Sequence, residues 1–249
     1  MITIVALDSV DSTSTYMARS LPDAPEGTVV TTREQSAGRG QRGNSWEAAP
    51  GLNVTMSLML RPEGVPAREQ FVISQAVALA VVDTIDPLLP AGVTASVKWP
   101  NDIYVGDRKI AGILIENVLD GTCVARSIVG LGLNVNQPRF LSDAPNPVSL
   151  FQLTGTTHDV ETLTRRLAEN IIAETRRALS SPREAEALAA RYFARLWRAA
   201  GWWQFRDNLR GVDMTARILS VDPMGYLTLL DREGSAERVY AFKEITFLL

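Results

Sequence analysis

The 249-residue sequence predicts an α+β fold, with helices on a largely antiparallel or mixed sheet, followed by a small antiparallel barrel. Strand-like and helical stretches mix without the regular β-α-β alternation of a doubly wound sheet. Hydrophobic residues make up 46% of the chain, which is enough for a sizeable core. After about residue 206 the pattern changes to short alternating runs separated by Asp-Pro-Met-Gly and Arg-Glu-Gly-Ser turns. We therefore expect a main domain over 1–205 and a barrel over 206–249.

The strands of the main domain are predicted to begin almost at the first residue. Within 52–60, Val54, Met56, Leu58 and Leu60 alternate with polar residues, as in a strand with one buried face. Glycine-containing pairs at 106–107 and 120–121 are typical of hairpin turns. The predicted strands are 2–7, 27–33, 52–60, 93–99, 103–105, 109–118 and 123–135.

Helices are predicted over 67–86, 161–180 and 183–200. The last of these has Ser181 as its N-cap and Pro182 at its first position. The most apolar stretch, 71–85, contains Ser74, Gln75 and Asp83. It is too short and too polar to cross a bilayer, so it indicates a buried helix.

The composition limits the partners of the protein. A net charge of −3 gives no bulk attraction to nucleic acid or to an anionic membrane. The single cysteine, Cys123, excludes an internal disulfide, and the single histidine, His158, leaves no His/Cys cluster for zinc. The N-terminus lacks a secretion signal. We expect a cytoplasmic protein with no metal ligands and no DNA or membrane partner.

The stretch "GRGQRGNS" at 38–45 matches both the dinucleotide fingerprint and a P-loop without its lysine. Both of those loops need a helix directly after them, whereas Pro50-Gly51 and a strand follow here. One interpretation is a solvated surface loop. The other is a loop that folds over a nucleotide, because its glycines let the backbone approach an anion and Arg39 and Arg42 can bind phosphate. Trp46 at its exit can then cover a purine or simply anchor the loop.

Three more stretches carry polar residues. The segment 98–116 is either a charged hairpin or a site where paired strands bring Lys98 and Lys109 together beside Asp102. "DSTST" at 11–15 is either an N-cap for a helix starting at Thr15 or a hydroxyl-rich binding loop. "GLGLNVN" at 130–136 places an asparagine at the end of an apolar strand.

Taken in the order in which they occur along the chain, the four stretches resemble the motifs of the biotin–protein ligases. The family pattern D-S-T-N, Q-x-A-G-R-G-R-x-G-x-x-W, K-W-P-N-D with D-x-K-I-A-G-I-L-x-E, and G-x-G-x-N-x-N corresponds here to "DSTS", "QSAGRGQRGNSW", "KWPNDIYVGDRKIAGILIE" and "GLGLNVN". The resemblance covers residue 2 to about 205, and the C-terminal barrel also fits. It implies a core like that of class II aminoacyl-tRNA synthetases and biotin ligases, with an SH3-like barrel.

The resemblance also implies the chemistry. Biotin and ATP, with Mg²⁺, form biotinyl-5'-AMP, and a lysine of a biotin carboxyl carrier protein then takes the biotin. The implied catalytic residues are Lys109, Arg39 and Asp102, with Lys109 at the reacting carboxylate and α-phosphate and Asp102 at the acceptor amine, whose unperturbed pKa of ~10.4 must be overcome. The implied biotin contacts are Ser12, Thr13, Ser14, Gln35, Gly38, Arg39, Gly40, Gln41, Lys109 and Gly112. The implied nucleotide contacts are Arg42, Trp46, Asn101 and Asn134.

Two departures from the family pattern concern the ligands. Ser14 replaces the usual asparagine, and Gln41 replaces an arginine found in many members, so retention of the adenylate is the inherited property most affected. The first strand begins at Ile2, which predicts a short form without an N-terminal DNA-binding domain. A homodimer is the family precedent. The rival interpretations are a lipoate or octanoate ligase or transferase on the same core, and a non-catalytic protein that binds biotin or a nucleotide.

Overall fold

The computed structural model describes residues 1–40, 46–142, 145–234 and 236–248. Seven strands form the main sheet: β1 (Thr3–Val10), β2 (Thr28–Gln35), β3 (Val54–Leu60), β4 (Ala95–Lys98), β5 (Asp102–Val105), β6 (Arg108–Asp120) and β7 (Cys123–Leu133). Their order across the sheet is β1-β2-β3-β7-β6-β5-β4. Only β1 and β2 run parallel, and each other neighbouring pair is antiparallel. The sheet is therefore mixed, which confirms the predicted fold class.

The two predicted hairpin turns are confirmed. Gly106 joins β5 to β6 with φ 59°, and Gly121 joins β6 to β7 with φ 58°. This left-handed backbone region favours glycine. The turn at Gly106 brings β5 and β6 side by side, which is how the polar segment 98–116 folds back on itself.

The described residues contain five α-helices: α1 (Thr13–Ser20), α2 (Phe71–Ile85), α3 (Leu150–Thr154), α4 (Val160–Ala178) and α5 (Pro182–Ala194). Helix α2 is buried along most of its length, as the sequence predicts, and it packs against α4 and α5. The helical segment Ala67–Leu88 is also long and apolar enough to cross a membrane by composition alone. However, 67% of its most apolar window is buried inside the protein, as in the core helix of a folded domain.

Helices α5 and α3 are among those that differ from the prediction. Helix α5 ends at Ala194 instead of residue 200, because the backbone beyond it pairs with β4: Val97 N–H donates to Arg195 O, and Trp197 N–H donates to Val97 O, both at 2.8 Å. Helix α3 was not predicted. Its signal is a capping box, in which Ser149 and Gln152 bond reciprocally to each other's backbone.

The second sheet is antiparallel and has the order β11-β10-β9-β8-β12. Its strands are β8 (Trp203–Asp207), β9 (Val212–Val221), β10 (Leu227–Asp231), β11 (Glu237–Tyr240) and β12 (Ile245–Phe247). The predicted junction between residues 205 and 206 falls within β8, and this division of the chain stays a prediction. Buried residues of both sheets belong to one hydrophobic cluster. In addition, Trp99 Nε1 donates to Gly225 O at 3.0 Å, which ties the second sheet to the segment before β5.

Candidate functional site

A cavity of about 110 Å³, here called the central cavity, gathers most of the predicted site residues. It lies at the start of α1 and the end of β2, above β3, β7, β6 and β5. The predicted site residues that line it are Ser12, Thr13, Ser14, Gln35, Arg39, Gly40, Trp46, Asn101, Asp102, Lys109 and Gly112. Gly130 and Gly132 of the "GLGLNVN" stretch also line it. Thr55 and Phe242 line it too, and the sequence did not single them out.

A chain of hydrogen bonds, the hydroxyl network, stands at one end of the cavity. Gln35 Oε1 accepts from Thr13 N–H at 2.9 Å and from the Thr13 hydroxyl at 3.3 Å. Ser57 Oγ lies 2.8 Å from the hydroxyls of both Thr13 and Ser14. Hydroxyls that both donate and accept can bind a small ring that carries a carbonyl oxygen and N–H groups.

Ser12 caps α1, because its hydroxyl accepts from Thr15 N–H at 3.4 Å. The N-cap interpretation of the hydroxyl-rich segment is therefore confirmed, although the helix starts at Thr13 and not at Thr15. Ser12 also lines the cavity, so capping and a place at the site are compatible.

Ser57 was missed because the alternation in β3 suggested that its polar face meets solvent. All of β3 is buried, and the face that carries Thr55 and Ser57 is turned toward the cavity. A serine that is 0% exposed needs a hydrogen-bond partner. In the sequence, the polar residues inside a strongly apolar run were the available signal.

Three glycines, Gly112, Gly130 and Gly132, form the glycine floor of the cavity. Gly112 and Gly132 are direct partners across β6 and β7. A Cβ at Gly132 would lie 2.3 Å from Trp46 Cε2, and a Cβ at Gly130 would lie 2.7 Å from Ser14 Oγ. The Trp46 ring therefore rests on the floor, and its Nε1 is buried without a hydrogen-bond partner.

An ion pair occupies the other end of the cavity. Lys109 Nζ lies 2.7 Å from Asp102 Oδ1, and both side chains remain partly exposed. Lys109 also lies 5.5 Å from the centre of the Trp46 ring. Asn101 holds the start of β5 against β6, because its side chain donates to Ile113 O and its carbonyl accepts from Ile113 N–H. This end can present a cation to an anionic ligand.

Arg39 stands at the rim. Its Nη2 lies 2.9 Å from Glu116 Oε1, and its Nη1 donates to Thr15 Oγ1 at 3.3 Å. Both partners of the ion pair are exposed, so the pair contributes little to stability.

Lys98 does not join Lys109 at the cavity. Its ammonium donates to Tyr104 Oη at 3.1 Å and lies 5.1–5.8 Å from the ring centres of Tyr104, Trp197 and Phe247. It belongs to the contact between the two sheets. Of the two interpretations of segment 98–116, the one that brings both lysines to one site holds for Lys109 and not for Lys98.

Two other predicted residues lie outside the lining of the cavity. Gly38 instead accepts a backbone hydrogen bond from Trp46 N–H at 3.1 Å. Asn134 is buried and donates to Val148 O at 3.0 Å, while its Oδ1 has no partner. Gln41 and Arg42 lie outside the described residues.

Glu47, directly after Trp46, was not predicted as part of the site region. Its carboxylate accepts from the backbone N–H groups of Leu141 and Ser142, both at 2.8 Å, and from the Gln137 side chain at 3.0 Å. Burial by itself would raise the pKa of Glu47, but the hydrogen bonds from Ser142, Leu141 and Gln137 outweigh it and lower the pKa below the ordinary 4.5. Glu47 thus fastens the segment after the glycine loop to the segment after β7.

Comparisons with known proteins find relatives of this sequence. The family model described as the biotin/lipoate A/B protein ligase family matches residues 6–134, just over half of the chain. A bifunctional ligase/repressor BirA of Bacillus subtilis is 39% identical over 131 residues, 53% of this chain and 39% of that protein. A biotin–[acetyl-CoA-carboxylase] ligase of Mycobacterium tuberculosis is 35% identical over 175 residues, 68% of this chain and 61% of that protein. The aligned parts thus span less than two thirds of these relatives.

The fold is also similar to that of a solved structure, the biotin protein ligase from Aquifex aeolicus in complex with biotin and ATP. The TM-score is 0.75 with 20% sequence identity, over 98% of this chain and 97% of that one. At this level of identity the likeness concerns the fold, and it includes the second sheet.

Proposed function

This chain belongs to the biotin/lipoate A/B protein ligase family, and we propose that it activates biotin with ATP to biotinyl-5'-AMP and transfers biotin to a lysine of a biotin carboxyl carrier protein. The observation that supports this proposal most directly is the Asp102–Lys109 ion pair at one end of a cavity whose other end holds the hydroxyl network. The order β3-β7-β6-β5 separates the two ends by three strand spacings, roughly 14 Å. This span suits a ligand with a polar ring at one end and an acid at the other.

In the first step, a carboxylate oxygen of biotin attacks the α-phosphorus of ATP, the bond to the bridging oxygen breaks, and pyrophosphate leaves. Two anions must approach each other, so a cation is needed where the charge develops. Lys109 meets this need if its ammonium turns from Asp102 toward the reacting oxygens. Arg39 can exchange Glu116 for the phosphate in the same way.

In the second step, the amine of the acceptor lysine attacks the carbonyl carbon of the anhydride, and AMP leaves with the electron pair of the broken C–O bond. The amine must lose its proton, and Asp102 is the carboxylate among the cavity-lining residues that the structure describes. Once Lys109 has turned to the ligand, Asp102 is available to orient the amine and accept that proton.

The nucleotide contacts of Trp46, Asn101 and Asn134 belong to this proposal. The Trp46 ring lies 5.5 Å from Lys109 Nζ and can stack on adenine if it leaves the glycine floor. Within the described residues, no group of three or more His, Cys, Asp or Glu side chains is arranged to hold a metal. Mg²⁺ therefore fits as an ion carried by the ATP phosphates, its usual mode of binding.

Biotin-dependent exchange of labelled pyrophosphate into ATP tests the proposal. Exchange with biotin, followed by labelling of a carrier-protein lysine, is the expected result. Exchange with lipoate or octanoate but not with biotin would overturn the assignment of biotin as the substrate. No exchange with any of these acids would favour a non-catalytic binding protein.

The cellular part of the proposal is a homodimer in the cytoplasm, without DNA or membrane partners. It rests on the family precedent and on the net charge of −3. Sedimentation at working concentrations tests the dimer, and a gel shift at physiological salt tests the absence of specific DNA binding.

A further inference from the structure

Phe242 is the residue through which the second sheet reaches the central cavity. It follows β11 and lines the central cavity beside Asn101 and Asp102. It also lines two neighbouring cavities, of about 250 Å³ and about 400 Å³, that lie between the two sheets. Phe242 and Asn101 are the residues common to the walls of all three.

Asn101 and Phe242 thus form a wall that the three cavities share, and each of the two residues is held by a different sheet. Asn101 is fixed to the main sheet by its two hydrogen bonds with Ile113. Phe242 is held by the turn after β11, in which the Glu244 carboxylate accepts from Ala241 N–H at 2.7 Å and Lys243 has φ 74°. A left-handed backbone is uncommon for lysine, so this turn has a defined shape.

The Phe242 ring also packs against the main sheet. It meets the Trp99 ring edge-on, with centroids 6.2 Å apart and planes at 66°. Trp99 in turn donates its indole N–H to Gly225 O in the second sheet. Phe242 is therefore positioned from both sides of the contact between the sheets, and it is half-buried there.

We propose that Phe242 closes the central cavity at its Asp102 end and keeps the acyl-adenylate away from water until an acceptor amine arrives. This inference rests on the proposed function. The reacting anhydride forms at Lys109 and Asp102, and Phe242 is the apolar residue that lines the central cavity and both outer cavities. An apolar ring there excludes water without offering the adenylate a competing nucleophile.

The reaction that the ring suppresses is hydrolysis. Water attacks the carbonyl carbon of biotinyl-AMP, the C–O bond to the phosphate breaks, and AMP leaves. The products are biotin and AMP, and the protons of the attacking water are released, so the net result is futile cleavage of ATP to AMP and pyrophosphate. The rate of AMP formation with biotin and ATP but without an acceptor protein measures this hydrolysis, and this rate is here called the leak.

The test compares Phe242→Ala with Tyr226→Ala. Tyr226 is a matched control, because it is an aromatic residue of the turn between β9 and β10 that lines the 250 Å³ cavity and is not among the residues lining the central cavity. Phe242→Ala should raise biotin-dependent, acceptor-independent AMP formation about tenfold, a change of about 1.4 kcal/mol in the barrier. The ratio of this AMP formation to pyrophosphate exchange should therefore rise in Phe242→Ala, and Tyr226→Ala should leave the ratio unchanged.

Phe242→Leu keeps an apolar side chain of intermediate size, and it guards against misfolding of the alanine variant. Its leak should lie between those of the wild type and Phe242→Ala. An unchanged leak in folded Phe242→Leu and Phe242→Ala overturns the inference, and so does a loss of pyrophosphate exchange, which would assign Phe242 to adenylate formation. If the wild type shows no biotin-dependent exchange, the proposed function itself fails, which is a separate result.

Discussion

Lys109 Nζ and Asp102 Oδ1 are 2.7 Å apart because the pairing of β5 with β6 shifts by one residue between Ile103 and Tyr104. With the shift, Lys109 lies opposite Tyr104, on the same face of the sheet as Asp102. In an unbroken register Lys109 would pair with Val105, on the other face. The irregularity is therefore what brings the cation into the cavity.

The first prediction concerns the substitution Lys109→Gln. It removes the positive charge beside the reacting anions and should lower the rate of pyrophosphate exchange by about 10²–10³-fold. Lys98→Gln is the matched control, because it makes the same change in charge at the lysine held by Tyr104, Trp197 and Phe247. The control should lower the melting temperature while exchange stays near normal. Equal exchange rates in the two variants would rule out a special role for Lys109.

The hydroxyl network gives a second prediction. Ser57→Ala removes the group that bonds to both Thr13 and Ser14, so Ser14 loses the bond that orients its hydroxyl and Thr13 keeps its bond to Gln35. Biotin affinity, measured by calorimetry, should fall about 5–10-fold, the effect of one lost hydrogen bond of about 1–1.5 kcal/mol. Ser127→Ala is the control, since Ser127 is also fully buried but bonds to Asn117. A normal biotin affinity in Ser57→Ala would show that the network serves stability alone.

The lowered pKa of Glu47 gives a prediction about pH. A carboxyl whose pKa is lower in the folded than in the unfolded protein stabilises the fold above the unfolded-state pKa. That contribution is lost as the pH falls through the folded-state pKa, below 4.5. Glu47→Gln should therefore lower the urea midpoint at pH 7 and converge with the wild type as the pH falls through this range. If the difference in urea midpoint between Glu47→Gln and the wild type grows as the pH falls, the prediction is contradicted.

The sequence predicts the fold better than it predicts the local geometry of the site. Apolar periodicity and the turns at Gly106 and Gly121 identify the main strands, because burial on one face and a left-handed turn both leave local signals. The shift that brings Lys109 beside Asp102 has no such signal, since no glycine or proline marks Ile103 or Tyr104. Phe242 was missed for a different reason. It reaches the cavity through the packing of the second sheet on the first, which no short motif encodes.

The last prediction concerns Gly132 and Trp46. A Cβ on residue 132 would lie 2.3 Å from Trp46 Cε2, so Gly132→Ala must displace the ring, at a cost of about 1–3 kcal/mol in the free energy of unfolding. In a Trp46→Ala background the same substitution meets no ring and should cost much less. Alanine also restricts the unfolded chain, but it does so in both backgrounds, so a double-mutant cycle by urea unfolding cancels that effect. If Gly132→Ala costs the same in both backgrounds, the Trp46 ring does not rest on the glycine floor in solution.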